Sequence, residues 1–240
     1  MTDQSLDIVA VGAHPDDTEI ACGGTLAKLA KQGYRVGIID LTDGEPTPGS
    51  AGPEVRLAEA RRAAETLGLA ERVTLDLPNR RLFDTFEARV ALATEFRRFR
   101  PRLVLGLGAK TPTASPDHYQ ASLIIEAAVF YSKLTKWDEK FAGLPPYMVP
   151  RRLEFFLSFD GLPTTERHVM VIDIGDTLET KLASIACYAS QFPPAKAQSF
   201  ERFRAFAVQQ GMTAGFAAGE VLASPTAWGT SDLMRLLFPA

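Results

Sequence analysis

The sequence predicts an α/β protein of Rossmann-like type: a single domain with a mostly parallel sheet flanked by helices. Three observations lead there. Apolar strand-like runs alternate with amphipathic helical stretches through the first half of the chain, the connections between them are short, and glycine or proline stands where several helices should stop. Alternation of this kind gives parallel strands joined by right-handed crossovers. At 240 residues the chain is long enough for one large α/β domain over 1–240, less regular from about residue 145.

The first strand is read at 6–11, Leu6-Asp7-Ile8-Val9-Ala10-Val11, and a helix follows at about 18–32. Gly33 sits where a helix C-terminal glycine belongs. The next strand is 35–41 and its helix 54–67, closed by Gly68. A strand at 73–77 leads to a helix at 87–99, which Pro101 prevents from continuing. The strand 103–107 precedes a helix at 118–134. Pro145, Pro146 and Pro150 then break the chain before a strand at 153–157. A strand at 169–174 and helices at about 176–189 and 199–210 complete the reading; 211–223 and the tail to Ala240 receive no assignment. Long loops at 42–53 and 108–117 follow strands, where binding loops belong.

Composition narrows the function. Hydrophobic residues make up 46% and charged residues 23%, as in an ordinary globular protein. A net charge of −3 gives no electrostatic case for nucleic acid or an anionic membrane. The pairs Arg61-Arg62, Arg80-Arg81 and Arg97-Arg98 stand among acidic residues and read as solvated helix faces. Two cysteines, Cys22 and Cys187, argue against a disulfide framework and exclude by count a cysteine-rich zinc site. The start of the chain lacks a signal-peptide pattern, and no apolar run approaches the roughly 18 residues of a membrane span, so a cytoplasmic protein is expected.

Ala13-His14-Pro15-Asp16-Asp17 directly follows the first strand. In open α/β sheets, ligand sites lie outside the carboxyl ends of strands. A histidine and a carboxylate at i and i+3 can converge on a turn entering a helix, so His14 and Asp17 form half of a first-row metal site. Asp16 points elsewhere, within reach of a metal's water as a general base. His118, in Ser115-Pro116-Asp117-His118 after the fourth strand, would complete a His-Asp-His set with open positions. The competing reading is a helix cap, with Asp16, Asp17 or Thr18 bonding the first free amides. The third histidine, His168, reads as a structural or surface residue.

These motifs resemble the PIG-L/LmbE-like family of zinc-dependent N-acetylglucosamine deacetylases, most closely the bacillithiol-pathway enzymes acting on N-acetylglucosaminyl malate. The resemblance rests on Ala13 to Glu19 with Gly23-Gly24-Thr25, on Leu41-Thr42-Asp43-Gly44-Glu45, on Arg56 with Glu59, on Leu77-Pro78-Asn79-Arg80 and on Pro116-Asp117-His118. Val171-Ile172-Asp173-Ile174, Lys181-Leu182-Ala183-Ser184 and Tyr188-Ala189-Ser190-Gln191-Phe192 resemble the bacillithiol subgroup's later segment. The likeness spans about 6–192 and weakens beyond.

The resemblance implies zinc on His14, Asp17 and His118, with Fe²⁺, Mn²⁺ or Co²⁺ also acceptable to these ligands. It implies Asp16 as general base, Arg56 holding substrate, and Glu45 and Asn79 on the substrate side. Arg56 has a plain alternative, a helix ion pair with Glu59 or Glu54. A homo-oligomer, trimer or hexamer, is implied as well, with a small amino-sugar substrate. Two departures stand out: Ser115 replaces the family's accessory histidine, leaving Asp117 without the residue it would orient, and Asn79 stands where aspartate is common. Loss of such a donor costs about 10²–10³ in kcat. Tyr119, Tyr131 and Tyr188 are candidate replacement donors.

Two functions therefore compete. One is metal-dependent removal of an N-acetyl group, with Asp16 taking a proton from the attacking water and returning it to the departing amine. The other, motivated by Ser115, is a catalytically impaired zinc-binding homologue acting as a sensor or binding module. A nucleotide-binding domain is disfavoured, because the first turn lacks a Gly-x-Gly-x-x-Gly loop and two aspartates there would repel phosphate.

Overall fold

The computed structural model describes residues 4–108, 110–111, 114–157, 168–229 and 231. Four βα units come first: β1 (Ile8–Gly12), α1 (Asp17–Lys31), β2 (Val36–Asp40), α2 (Pro53–Leu67), β3 (Glu71–Thr74), α3 (Phe86–Phe99), β4 (Leu103–Leu107) and α4 (Pro116–Tyr131). Then follow β5 (Arg151–Phe155), β6 (His168–Asp173), α5 (Leu178–Ala186), α6 (Gln198–Met212) and β7 (Gly219–Ser224), with short 3₁₀ turns at Asp138–Phe141 and Pro194–Lys196. All seven strands form one sheet in the order β3-β2-β1-β4-β5-β7-β6. β1 pairs in parallel with both β2 and β4, and β4 with β5, while β7 runs antiparallel to β5 and β6.

This order positions the site. From β1 the chain builds outward to β2 and β3, then returns to lay β4 on the other side of β1. The reversal opens a crevice at the carboxyl ends of β1 and β4, the topological switch point. The two strands pair Ile8 with Leu103 through Val11 with Gly106. Both are packed from both faces: Val9, Ala10, Val11, Val104 and Leu105 are fully buried, as continuous apolar strands of a parallel sheet should be. Gly106 lets α4 approach closely, since a β-carbon there would meet Ile125 at 2.8 Å.

Local signals explain several helix ends. α2 starts on Pro53 and stops at Gly68, which adopts a left-handed φ of 72°. The Thr85 side chain caps α3 by accepting from the Ala88 amide at 3.2 Å. Ser115 caps α4, ahead of Pro116. α1 is kinked at Cys22, and the freed amides of Gly24 and Thr25 donate to the Glu220 carboxylate of β7 at 3.0 and 2.7 Å. Lys181 neutralises that buried carboxylate at 2.6 Å.

Several sequence boundaries shift. β3 lies at 71–74 rather than 73–77, and β5 at 151–155 rather than 153–157. β3 is an edge strand whose pairing with β2 ends at Thr74, so Leu75 and Leu77 pack against the core without continuing the ladder. The helix read at 118–134 begins at Pro116 and ends at Tyr131, and that read at 176–189 spans only Leu178–Ala186. The unassigned stretch 211–223 contains most of β7. Parts of the loop at 108–117 and nearly all of the tail beyond 229 lie outside the described residues. His168 is exposed at the start of β6. Among the described residues, no helix is long and apolar enough to cross a membrane.

Candidate active site

The turn after β1 is shaped by Asp17. Its Oδ2 accepts from the amides of Ala13 and His14, both at 2.9 Å, folding the carboxylate back over the turn. Neither Asp16 nor Asp17 caps the following helix through its side chain, and the Thr18 hydroxyl donates to Glu19, so the capping alternative is not what the turn adopts. Asp16 holds a φ of 108°, a left-handed conformation that a residue with a β-carbon rarely adopts.

Asp17 also meets both histidines. Its Oδ1 lies 3.3 Å from His118 Nε2, and its Oδ2 lies 3.6 Å from His14 Nδ1. One ligand atom from each of His14, Asp17 and His118 lies within 4.8 Å of the others. Behind them, Asp117 accepts from His14 Nε2 at 3.2 Å and from the amides of Arg80 at 2.7 Å and Leu82 at 3.4 Å. Asp117 thus ties the segment after β3 to His14.

The set fits a divalent first-row metal. Ligands about 2.0–2.1 Å from a tetrahedral ion stand about 3.3 Å apart, and Asp17 meets the two histidines at 3.3 and 3.6 Å through its two oxygens. Asp117 behind His14 is the carboxylate support that ligating histidines use to fix their tautomer. His118 Nδ1 is buried with no hydrogen-bond partner among the described residues. Charge points the same way. Burial alone would lower the His14 pKa, but hydrogen bonds to Asp117 and Asp17 outweigh it and push it up to about 10. Burial works to raise the Asp17 pKa, yet His118 and His14 hold it well below the usual carboxylate range. A divalent cation would take over the role of the His14 proton.

Asp16 stands beside this cluster in a different setting. Burial raises its pKa to about 7, against the pull of Arg56. Arg56 is 2% exposed; its Nη2 lies 3.1 Å from Asp16 Oδ2 and also donates to the Pro15 carbonyl. Arg56 is therefore not paired with Glu59 or Glu54 as the alternative reading held; Glu59 accepts instead from Ser190, amide and hydroxyl. Arg56 Nε and Nη1 are buried with no hydrogen-bond partner among the described residues. Gly44, at φ 76°, makes room for this guanidinium: a β-carbon there would lie 3.3 Å from Nε.

A cavity of about 460 Å³ opens over these groups. His14, Asp16, Asp17, Arg56, Asn79, Ser115 and His118 all contribute to its wall; of the candidate metal, catalytic, substrate-side and accessory residues only Glu45 and Asp117 fall outside it. Glu45 does not line it; its carboxylate is occupied by the amide and hydroxyl of Thr47, which does. Asp117 lies behind His14 rather than at the cavity surface. Ser115 Oγ accepts from the Asp117 amide at 3.3 Å and keeps its own proton to donate. The candidate tyrosine donors are corrected: Tyr188 is fully buried with its hydroxyl on Glu19, Tyr131 stands by Arg89, and none of the three lines the cavity.

Sequence reasoning gave no role to Ile20, Leu157 and Phe203, which with Phe192 form an apolar wall. It also left Arg80 without one, although Arg80 belongs to the block Leu77-Pro78-Asn79-Arg80. Arg80 lines the mouth at φ 62°, its amide held by Asp117. Gln191 and Phe192, from the block beginning at Tyr188, complete the rim.

The chain is thus an open α/β sheet whose switch point carries a His-Asp-His cluster able to hold a metal ion, with the Asp16 carboxylate beside it in a cavity wall. Residues 9–129 match the family described as PIG-L: GlcNAc-PI de-N-acetylase, and the chain belongs to this de-N-acetylase family. It is 32% identical over 218 residues to a diacetylchitobiose deacetylase of Thermococcus kodakarensis, covering 87% of this chain and 79% of that one. Among solved structures it is similar to the conserved protein TT1542 from Thermus thermophilus, with a TM-score of 0.81 at 32% identity, covering 94% and 97% of the two chains. It is also similar to the N,N'-diacetylchitobiose deacetylase of Pyrococcus horikoshii, with a TM-score of 0.78 at 26% identity over 90% and 82% of the chains.

Proposed function

We propose that the protein is a zinc-dependent amidohydrolase that removes the acetyl group from an N-acetylglucosamine conjugate, with N-acetylglucosaminyl malate and diacetylchitobiose the first substrates to test. The observation that carries the reading is the Asp16 carboxylate, half-buried in the cavity wall next to His14, Asp17 and His118 and paired with Arg56. Zinc held by His14, Asp17 and His118 would supply Lewis acidity to the acetamide carbonyl and to the attacking water.

The chain's own residues do the rest. Arg56 engages Asp16 Oδ2 and leaves Oδ1 to take a proton from the water. Asp117 holds the His14 ring in one tautomer. Arg56 lines the cavity with two N–H groups unpaired, and a substrate oxygen that reached them would end their unsatisfied burial. Once protonated, Asp16 returns its proton to the departing nitrogen as the C–N bond breaks, so one carboxyl serves as base and then acid. Ser115 donates a hydrogen bond from the position where related enzymes offer an imidazole. The same reading takes the enzyme to be a cytoplasmic homo-oligomer, whose assembly state sedimentation of the purified protein checks.

Ser115 also supports a second reading, a zinc-binding homologue that no longer turns over. One experiment separates them: zinc per chain, together with amine release from diacetylchitobiose, N-acetylglucosaminyl malate and free N-acetylglucosamine. About one zinc with turnover, abolished in Asp16→Asn with zinc retained and in His118→Ala with zinc lost, establishes the deacetylase. Zinc without turnover on any of the three favours the binding module, and absence of zinc removes both.

A further inference from the structure

Tyr188 lies in the segment after α5, fully buried, and the proposed mechanism does not use it. Its hydroxyl donates to Glu19 Oε1 at 2.7 Å. Glu19 is fully buried on α1 and also takes Arg72 at the same oxygen. Arg72 in turn grips Asp40, at the end of β2, through Nε at 2.8 Å and Nη2 at 3.0 Å. The phenol is thus fixed by a chain of buried charges that crosses α1, β2 and β3. Its ring packs on Ala60 and Ala63 of α2, small residues one and two turns beyond Arg56. The Arg56 guanidinium carbon sits over that ring, 5.4 Å from the centroid.

That contact has a consequence for Asp16. Among the described residues, every side-chain hydrogen bond Arg56 makes runs through Nη2, and Nε and Nη1 make none. A guanidinium held at one nitrogen can still swing about its side-chain axis. The Tyr188 ring closes off that swing from below, at a distance where a cation is attracted to an aromatic face. We propose that Tyr188 is a positioning residue: it holds Arg56 in the plane that meets Asp16, and the buried Glu19-Arg72-Asp40 charges hold Tyr188. The same short segment reaches the cavity, because Gln191 Nε2 bonds Thr47 Oγ1 at 2.9 Å and both residues line it. For its kinetic readout alone, the proposal rests on the deacetylation proposed above.

The test compares Tyr188→Leu, which removes the ring, with Tyr188→Phe, which keeps it. The Arg56 Nε–H signal in ¹H–¹⁵N spectra, assigned by its loss in Arg56→Lys, reports the guanidinium directly. In Tyr188→Leu it should shift and exchange faster with water, while Tyr188→Phe should hold it near its original position. For amide hydrolysis, Tyr188→Leu should lower kcat about tenfold with zinc content unchanged, and Tyr188→Phe about twofold, as expected for a desolvated cation–aromatic contact. In the Arg56→Lys background the loss caused by Tyr188→Leu should shrink to less than about twofold. Should Tyr188→Leu fail to fold, Tyr188→Met fills more of the volume and is read the same way. An unmoved Arg56 signal in a folded ring-deleted variant overturns the proposal, as does an undiminished tenfold loss in the Arg56→Lys background. If the wild-type protein hydrolyses none of the amides, the deacetylase reading fails, and the Arg56 signal alone decides the role of Tyr188.

Discussion

Arg56 and Arg97 are both almost wholly buried, and both lie over an aromatic ring, yet their surroundings differ in kind. Arg97, on α3, donates Nε to the Ser132 carbonyl at 3.0 Å, Nη1 to Leu144 at 2.6 Å and to Asp138 at 3.0 Å, and Nη2 to the Leu134 carbonyl. Its guanidinium carbon is 3.7 Å from the Phe141 centroid. Those carbonyls belong to the connection between α4 and β5, which Arg97 ties down. The Arg56 side chain bonds through Nη2 only, leaves Nε and Nη1 without a partner among the described residues, and lies in the wall of a cavity. Burying polar groups is costly unless they are paired. A fully paired buried arginine is explained by the fold; a partly paired one beside a cavity is explained by what enters it.

The comparison can be broken by experiment. The largest effect should come from the partners' carboxylates: Asp16→Asn should lower kcat by about 10³ with zinc retained. Asp138→Asn, on the Arg97 side, should leave kcat unchanged. Next come the arginines themselves. Arg56→Lys should lower kcat/KM by about 10²-fold, because one ammonium cannot span Asp16 and a substrate oxygen together. Its melting temperature should move by less than about 3 °C, since few hydrogen bonds are lost. Arg97→Lys should do the reverse, costing about 2–3 kcal/mol in denaturant unfolding with kcat per folded molecule unchanged. The smallest effect should be the stability change in Asp138→Asn, below about 1 kcal/mol, because that carboxylate is half exposed. An Arg56→Lys protein as destabilised as Arg97→Lys, with full activity, would erase the distinction.

The sequence carried much of this, unevenly. His14, Asp17 and His118 were legible because each follows an apolar strand, and strand order in a parallel sheet brings β1 and β4 together. The contact of Arg56 with Asp16 was not, since α2 carries Arg56 forty positions away and nothing local says which carboxylate it meets. β7 was missed for a related reason: its partners β5 and β6 come from far earlier in the chain, and its Gly/Ala-rich approach gives no periodic signal. β3 was displaced because an edge strand with exposed Glu71 looks less like a strand than the apolar residues after it. The aromatic wall was hidden because Phe192 and Phe203 pack edge-to-face at 5.6 Å, as core residues do, and only the fold exposes one side of them to the cavity.

The left-handed backbone at Asp16 limits what can replace it. Among residues with side chains, asparagine and aspartate enter that region most readily, and glycine enters it freely. Asparagine is thus admitted by the backbone while being unable to accept the proton, so Asp16→Asn isolates chemistry, whereas Asp16→Ala or Asp16→Val would mix chemistry with strain. The same restriction marks a path of decay. A descendant released from catalysis should reach asparagine or glycine at position 16 before any branched residue, and would keep its fold while doing so.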